Sequence, residues 1–194
     1  MSGLAKDLTS ILRGSRTWTV LQAARALDLP DWLLFSGAVY QPVWNRLTGR
    51  PPDYGVRDYD LAYFDGSDLS WDAEDVVIRR VAAALSPPLH EMVEVRNQAR
   101  VHLWFEDHFG EPYAPLACSS DALARFAAPA FAVGVRLEAD DSLTVFAPFG
   151  LEDVFAMRIR PNPGRTAKGL PAITRKAQAR WPELTAHFPD LDQP

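Results

Sequence analysis

The sequence predicts a domain of the α+β class, and three observations carry that prediction. A short apolar run, Trp32-Leu33-Leu34-Phe35, has the character of a buried strand and passes through Ser36-Gly37-Ala38 into residues at helical spacing. Downstream, Asp58-Tyr59-Asp60-Leu61-Ala62-Tyr63-Phe64 alternates, so Asp58 and Asp60 share one strand face and Tyr59 and Leu61 the other. Amphipathic helical patterns come first in the chain and three extended segments come late, with no internal repeat and no clear linker.

The elements follow in order. Leu4, Leu8, Ile11 and Leu12 fall on one helical face, which predicts a helix ending near Gly14. A second helix is expected over 17–27, closed by Pro30, and a buried strand over 32–35. Val39, Val43, Trp44 and Leu47 give a helix over 38–47 its apolar stripe, and Gly49 with Pro51-Pro52 stops it. After a turn-rich spacer, 50–57, the strand over 58–64 ends at Asp65-Gly66-Ser67. Ser70 can cap a helix over 71–85, with Asp72, Glu74 and Asp75 near its positive end. The alternation of 90–96 predicts a strand, and Val101, Trp104, Phe105 and His108 predict a helix over 97–109. A short helix over 121–126 leads to extended segments at 132–138, 142–146 and 154–160, the first two joined by an Asp140-Asp141 turn. A loop over 161–169 and a helix over 173–181 complete one domain spanning 1–194.

Composition narrows the function classes. With 47% hydrophobic and 23% charged residues, the 194-residue chain reads as globular and large enough to bury a core. No apolar run approaches the ~18 residues that a membrane span needs, and no signal-peptide pattern opens the chain. One cysteine, Cys118, can form no internal disulfide and points to a reducing, cytoplasmic compartment. A net charge of −5 disfavours a general nucleic-acid binder, which needs a broad basic surface, but leaves room for a small anion held by a few arginines.

The chemistry centres on Asp58-x-Asp60. Two carboxylates on one face repel unless a cation lies between them, and oxygen donors suit a hard divalent ion such as Mg²⁺. The segment 32–96 reads strand, Gly turn, helix, Asp-x-Asp strand, helix, strand. That order resembles the DNA-polymerase-β-like nucleotidyltransferase superfamily. Four stretches are similar to a bacterial family within it known simply as nucleotidyltransferases. They are Ser36-Gly37-Ala38-Val39 with Val43-Trp44, Glu94-Val95-Arg96-Asn97-Gln98-Ala99-Arg100-Val101-His102, Ala147-Pro148-Phe149-Gly150-Leu151-Glu152-Asp153-Val154-Phe155, and Arg160-Pro161-Asn162-Pro163.

The resemblance implies a mixed β-sheet flanked by helices, with a core over about 30–110 and a C-terminal elaboration over about 119–183. It implies transfer of a nucleoside monophosphate from an NTP to a small-molecule or protein acceptor, with pyrophosphate released and Mg²⁺ or Mn²⁺, as a two-metal site, required. Asp58, Asp60 and Glu94 would be the catalytic carboxylates and the metal ligands, Glu94 as the third of the set. Ser36, Gly37, Ala38, Asn97 and Arg100 would meet the nucleotide, the first three at a helix N-terminus that favours anions. Three departures stand out: a long spacer from Val39 to Arg57, Ala38 in place of a second Gly or Ser, and Glu94 in place of a shorter carboxylate.

Plainer readings stay open for several residues. Asp65 reads as a turn residue. Glu94 is either a third ligand or an exposed strand position. Asn97 is either a helix N-cap or a nucleotide contact, and Arg100 either a phosphate contact or a surface arginine. His102 and Glu106 would share a helix face, as a packed or hydrogen-bonded pair. Arg165 and Lys168 lie in a loop without the P-loop pattern. An inactive nucleotide-binding module is the alternative function. A nucleotide-sugar glycosyltransferase fits less well, because two helices start the chain and no long alternating β-α series precedes the motif. A phosphatase with Asp-x-Asp also fits less well, because Gly55-Val56-Arg57 and Ala62-Tyr63 flank the motif.

Overall fold

The short run after Trp32 becomes the central strand of a five-stranded mixed sheet. In the computed structural model, which describes residues 3–165 and 169–188, β1 (Leu33–Phe35), β2 (Tyr59–Tyr63), β3 (Val93–Asn97), β4 (Gly134–Leu137) and β5 (Leu143–Phe146) lie in the order β3-β2-β1-β4-β5. β2 and β3 are parallel and joined by the crossover helix α4 (Trp71–Ala83), while every other pairing in this sheet is antiparallel. This is the mixed sheet flanked by helices that the resemblance implies.

Alternation then sorts the two faces. Leu34, Tyr59, Leu61, Val95 and Val135 point into one core with Leu8 and Leu12 of α1 (Gly3–Arg13) and Val20, Leu21 and Ala24 of α2 (Arg16–Leu27). Helix α3 (Gly37–Leu47) joins it through Val39 and Val43. Pro42 interrupts α3 without breaking it. A proline has no N–H to offer the carbonyl four residues back, and the Ala38 carbonyl instead accepts from the buried Thr17 hydroxyl at 2.8 Å. The missing helical bond is thereby turned into a tie between α2 and α3.

A second core surrounds Trp44, on α3, with Phe131, Met157, Ile159, Leu170 and Trp181. Both of its indole N–H groups are paired. The Trp44 indole donates to the Val154 carbonyl at 3.1 Å, and the Trp181 indole donates to Asn45 Oδ1 at 2.8 Å. Asn45 Nδ2 donates to the carbonyls of Pro52 and Tyr54, which fixes the spacer between α3 and β2. Gly55 in that spacer sits at φ +74°, and a Cβ there would lie 2.9 Å from the Trp181 ring, so both backbone and space require glycine.

Two expected elements are corrected. Residues 97–109 form a turn, a 3₁₀ segment (Val101–Leu103) and the short α6 (Phe105–Phe109), and the Asn97 side chain is taken up by the Asp65 backbone and the Ala99 amide. His102 and Glu106 therefore do not share one helix. The extended segment expected over 154–160 begins as helix α7 (Glu152–Phe155), and only Arg158–Ile159 is strand, β6, pairing with β7 (Thr185–Ala186). Its cause is Asp153, buried and bonded to Arg158 and Arg160, which pulls the chain into a tight turn at Met157, φ +50°. Smaller shifts occur as well. α5 (Leu89–Met92) occupies the start of the strand expected over 90–96, 3₁₀ segments cover Ser119–Arg125 and Pro129–Phe131, and α8 runs Leu170–Gln178. Lys168 lies outside the described residues. No helix among the described residues is long and apolar enough to cross a membrane.

Candidate active site

The turn between β1 and α3 is held in an unusual backbone conformation. Ser36 has φ +61° and ψ −130°, a region costly for any residue with a Cβ. Its amide donates to the Val133 carbonyl at 2.9 Å, and its carbonyl accepts from Val39 and Tyr40. The Ser36 hydroxyl makes no capping bond, and the amides of Gly37 and Ala38 precede the first helical bond. An α-helix N-terminus without a side-chain cap is thus presented to whatever lies in front of it.

Carboxylates lie in front of it. Asp58 Oδ1 is 3.9 Å from where a Cβ on Gly37 would stand. Asp60 is paired in register with Phe35 of β1 and with Glu94 of β3, so Phe35, Asp60 and Glu94 form one row across three strands on the face away from the main core. Among the described residues, none of Asp58, Asp60 and Glu94 has a hydrogen-bond or ion-pair partner. The Asp60 carboxyl is pushed up to about 7, first by burial and then by the charges of Asp58 and Glu94, with Arg96 acting in the opposite sense. A half-buried carboxylate flanked by two others is a place where a cation would be strongly stabilised. The all-oxygen donor set fits a hard divalent ion, whose remaining ligands can be water and phosphate oxygens. Among the described residues no group of three His, Cys, Asp or Glu side chains forms a ready-made metal site. Ser36, Asp60 and Glu94 open into one cavity of about 610 Å³.

A family model described as nucleotidyltransferase matches residues 22–186. The chain belongs to this nucleotidyltransferase family. It is also similar to a protein whose NMR structure is described as revealing a CCA-adding enzyme head domain. The two share 25% identity and superpose with a TM-score of 0.75, over 94% of this chain and 95% of that one. No curated protein matches the sequence.

The remaining expected site residues of this nucleotidyltransferase lie elsewhere. Asn97 is buried, and its side chain accepts from the Asp65 and Ala99 amides and donates to the Asp65 carbonyl at 2.8 Å, so its polar atoms clamp the end of β2 to the end of β3. It is not an N-cap of a helix. Arg100 forms an ion pair with the buried Glu74, donates to the Leu69 carbonyl at 3.2 Å and stacks over Trp71. Glu74 in turn accepts from the Asn97 amide at 2.7 Å. Neither Asn97 nor Arg100 lines the cavity, and both hold the loop around Asp65 in place.

Other residues enter the nucleotidyltransferase cavity without having been singled out. Arg96 follows Glu94 by two positions on β3 and so shares its face, a signal present in the sequence. Among the described residues no carboxylate lies within ion-pair distance of it. Tyr40, one helical turn after Ser36, contacts Trp44 and Phe131, and burial pushes its hydroxyl up to about 12. Gln98 lines the cavity, and its amide donates to the Tyr63 carbonyl at 2.7 Å. Rings from distant segments, among them Trp104, Phe105, Tyr113 and Phe126, supply the wall, and no local pattern forecasts their convergence.

Proposed function

We propose that the chain transfers a nucleoside monophosphate from an NTP to a small-molecule acceptor, with a protein as the other acceptor class, and releases pyrophosphate. The observation that supports this best is the row of Asp60 and Glu94, with Asp58 beside it, facing the uncapped N-terminus of α3 across one cavity. Asp58 and Asp60 would hold Mg²⁺ or Mn²⁺. When bound, one ion or a pair neutralises the charge on the phosphates and the leaving group. Gly37 and Ala38 amides, with the Ser36 hydroxyl, bind the triphosphate at the positive helix end. Arg96 adds a cationic contact from the neighbouring strand. The acceptor's lone pair attacks the α-phosphorus, the bond from that phosphorus to the α,β-bridging oxygen breaks, and pyrophosphate leaves with the electron pair. Glu94, exposed on the same row, takes the acceptor's proton.

A second reading, binding of NTP without transfer, is favoured by the lack of a ready-made three-ligand site among the described residues. Pyrophosphate release from each NTP, with Mn²⁺ and a mixture of small metabolites, separates the two. Release by the wild type that is lost in Asp58→Ala/Asp60→Ala supports transfer. Equal release by both proteins contradicts it, and metal-dependent NTP binding without release supports the binding module.

A further inference from the structure

We propose that the acceptor is a small amphiphile with an aromatic body and one anionic group, the body lying on the aromatic wall of the cavity and the anion meeting Arg125. The inference rests on the transfer reading above and names the substrate class for that same site.

The wall is continuous with the acidic row. Phe35 stands beside Asp60 in that row and immediately precedes Ser36. Phe126 packs edge-on against Phe35 with ring centroids 5.4 Å apart. From the other side Trp104, just before α6, and Phe109, at its end, line the cavity, and Phe109 keeps 57% of its surface exposed. Aromatic side chains left open around a concave site, with polar groups gathered at one place, are the usual make-up of a small-molecule pocket. A flexible polymer such as nucleic acid would instead call for an extended basic track, which a chain of net charge −5 does not favour.

The charge on the wall sets the second feature of the ligand. Arg165 is neutralised by Glu111 at 2.8 Å. Arg125 is not: its guanidinium lies over the Tyr113 ring, 5.1 Å from the centroid, and no carboxylate among the described residues is within ion-pair distance. A half-buried guanidinium stacked on an aromatic ring is held in one orientation with donors free for a carboxylate. The acceptor's nucleophile would then reach Asp60 and Glu94 from a body fixed at its far end.

The test uses the full chain with Mg²⁺ and a non-hydrolysable NTP analogue at saturation. Indole-3-propionate and 3-phenylpropionate, each against its neutral amide, are titrated by two-dimensional NMR of the protein amides, while ³¹P shifts of the analogue report NTP binding in the same tube. The acids should bind alongside the analogue, about tenfold tighter than the amides, the effect of one charge-assisted contact. Arg125→Gln should abolish that difference, and Phe109→Ser, at an exposed position, should weaken acid and amide alike. Equal binding of acid and amide, no binding of either, or displacement of the acids by the analogue would overturn the proposal. Loss of the ³¹P response alone would instead count against the transfer reading and leave the acid-binding result standing.

Discussion

Replacing Asp60 with asparagine should stabilise the metal-free protein, and by an amount that depends on pH. The carboxyl is raised from 3.8 to about 7, chiefly by burial and then by Asp58 and Glu94. The sign follows from linkage: below 3.8 the group is protonated in both folded and unfolded chains and costs nothing. Between 3.8 and about 7 the unfolded chain releases the proton while the folded chain retains it, so wild-type stability falls with rising pH and then levels off. At about 1.4 kcal/mol per pH unit, the interval from 3.8 to about 7 caps the effect at about 4 kcal/mol. Asparagine keeps the shape and removes the charge, so its advantage should be small at pH 4 and largest above pH 7, at most on the order of 8–16 °C in melting temperature for a chain of this size. Thermal melts of both proteins in chelator, from pH 4 to 8.5, measure it. A melting difference that stays constant over that range, or an asparagine variant less stable at high pH, would refute the reasoning.

Three further outcomes concern the frame around the site. Thr17→Val should cost about 1–3 kcal/mol in denaturant unfolding, because the buried Ala38 carbonyl opposite Pro42 loses its donor. Asn97→Ala should cost about 2–4 kcal/mol, since it strips the Asp65 and Ala99 backbone of three bonds, and it should loosen the loop around Asp65 as seen by amide hydrogen exchange. Ser36→Gly should raise stability by about 1 kcal/mol by relieving the positive-φ turn, while NTP affinity falls if the hydroxyl contacts phosphate.

Local sequence pattern carried the parts of this fold that are themselves local. The apolar run at Leu33–Phe35, the alternating β2 and the Ser70 cap, whose hydroxyl accepts from the Ala73 amide at 3.2 Å, all express short-range chemistry. The register that sets Phe35, Asp60 and Glu94 in one row comes from strand pairing over long separations, and only the family resemblance pointed to it. Where a side chain outweighs periodicity the pattern misleads. Asn97 interrupts a stretch with helical spacing by bonding backbone on both sides of it, and Asp153 folds back a β-like segment by pairing with two arginines. Arg100 is tied to Glu74 at the start of α4, a carboxylate whose burial no local pattern reveals. The cavity wall was illegible for the same reason in stronger form, as its rings are brought together only by the tertiary fold.

The most direct test of the central claim is calorimetric titration of each NTP, with Mg²⁺ or Mn²⁺, into the wild type and into Asp58→Ala/Asp60→Ala. The account predicts binding that requires the metal and disappears in the double variant. Binding that is independent of metal, or equally strong without the two aspartates, would contradict it.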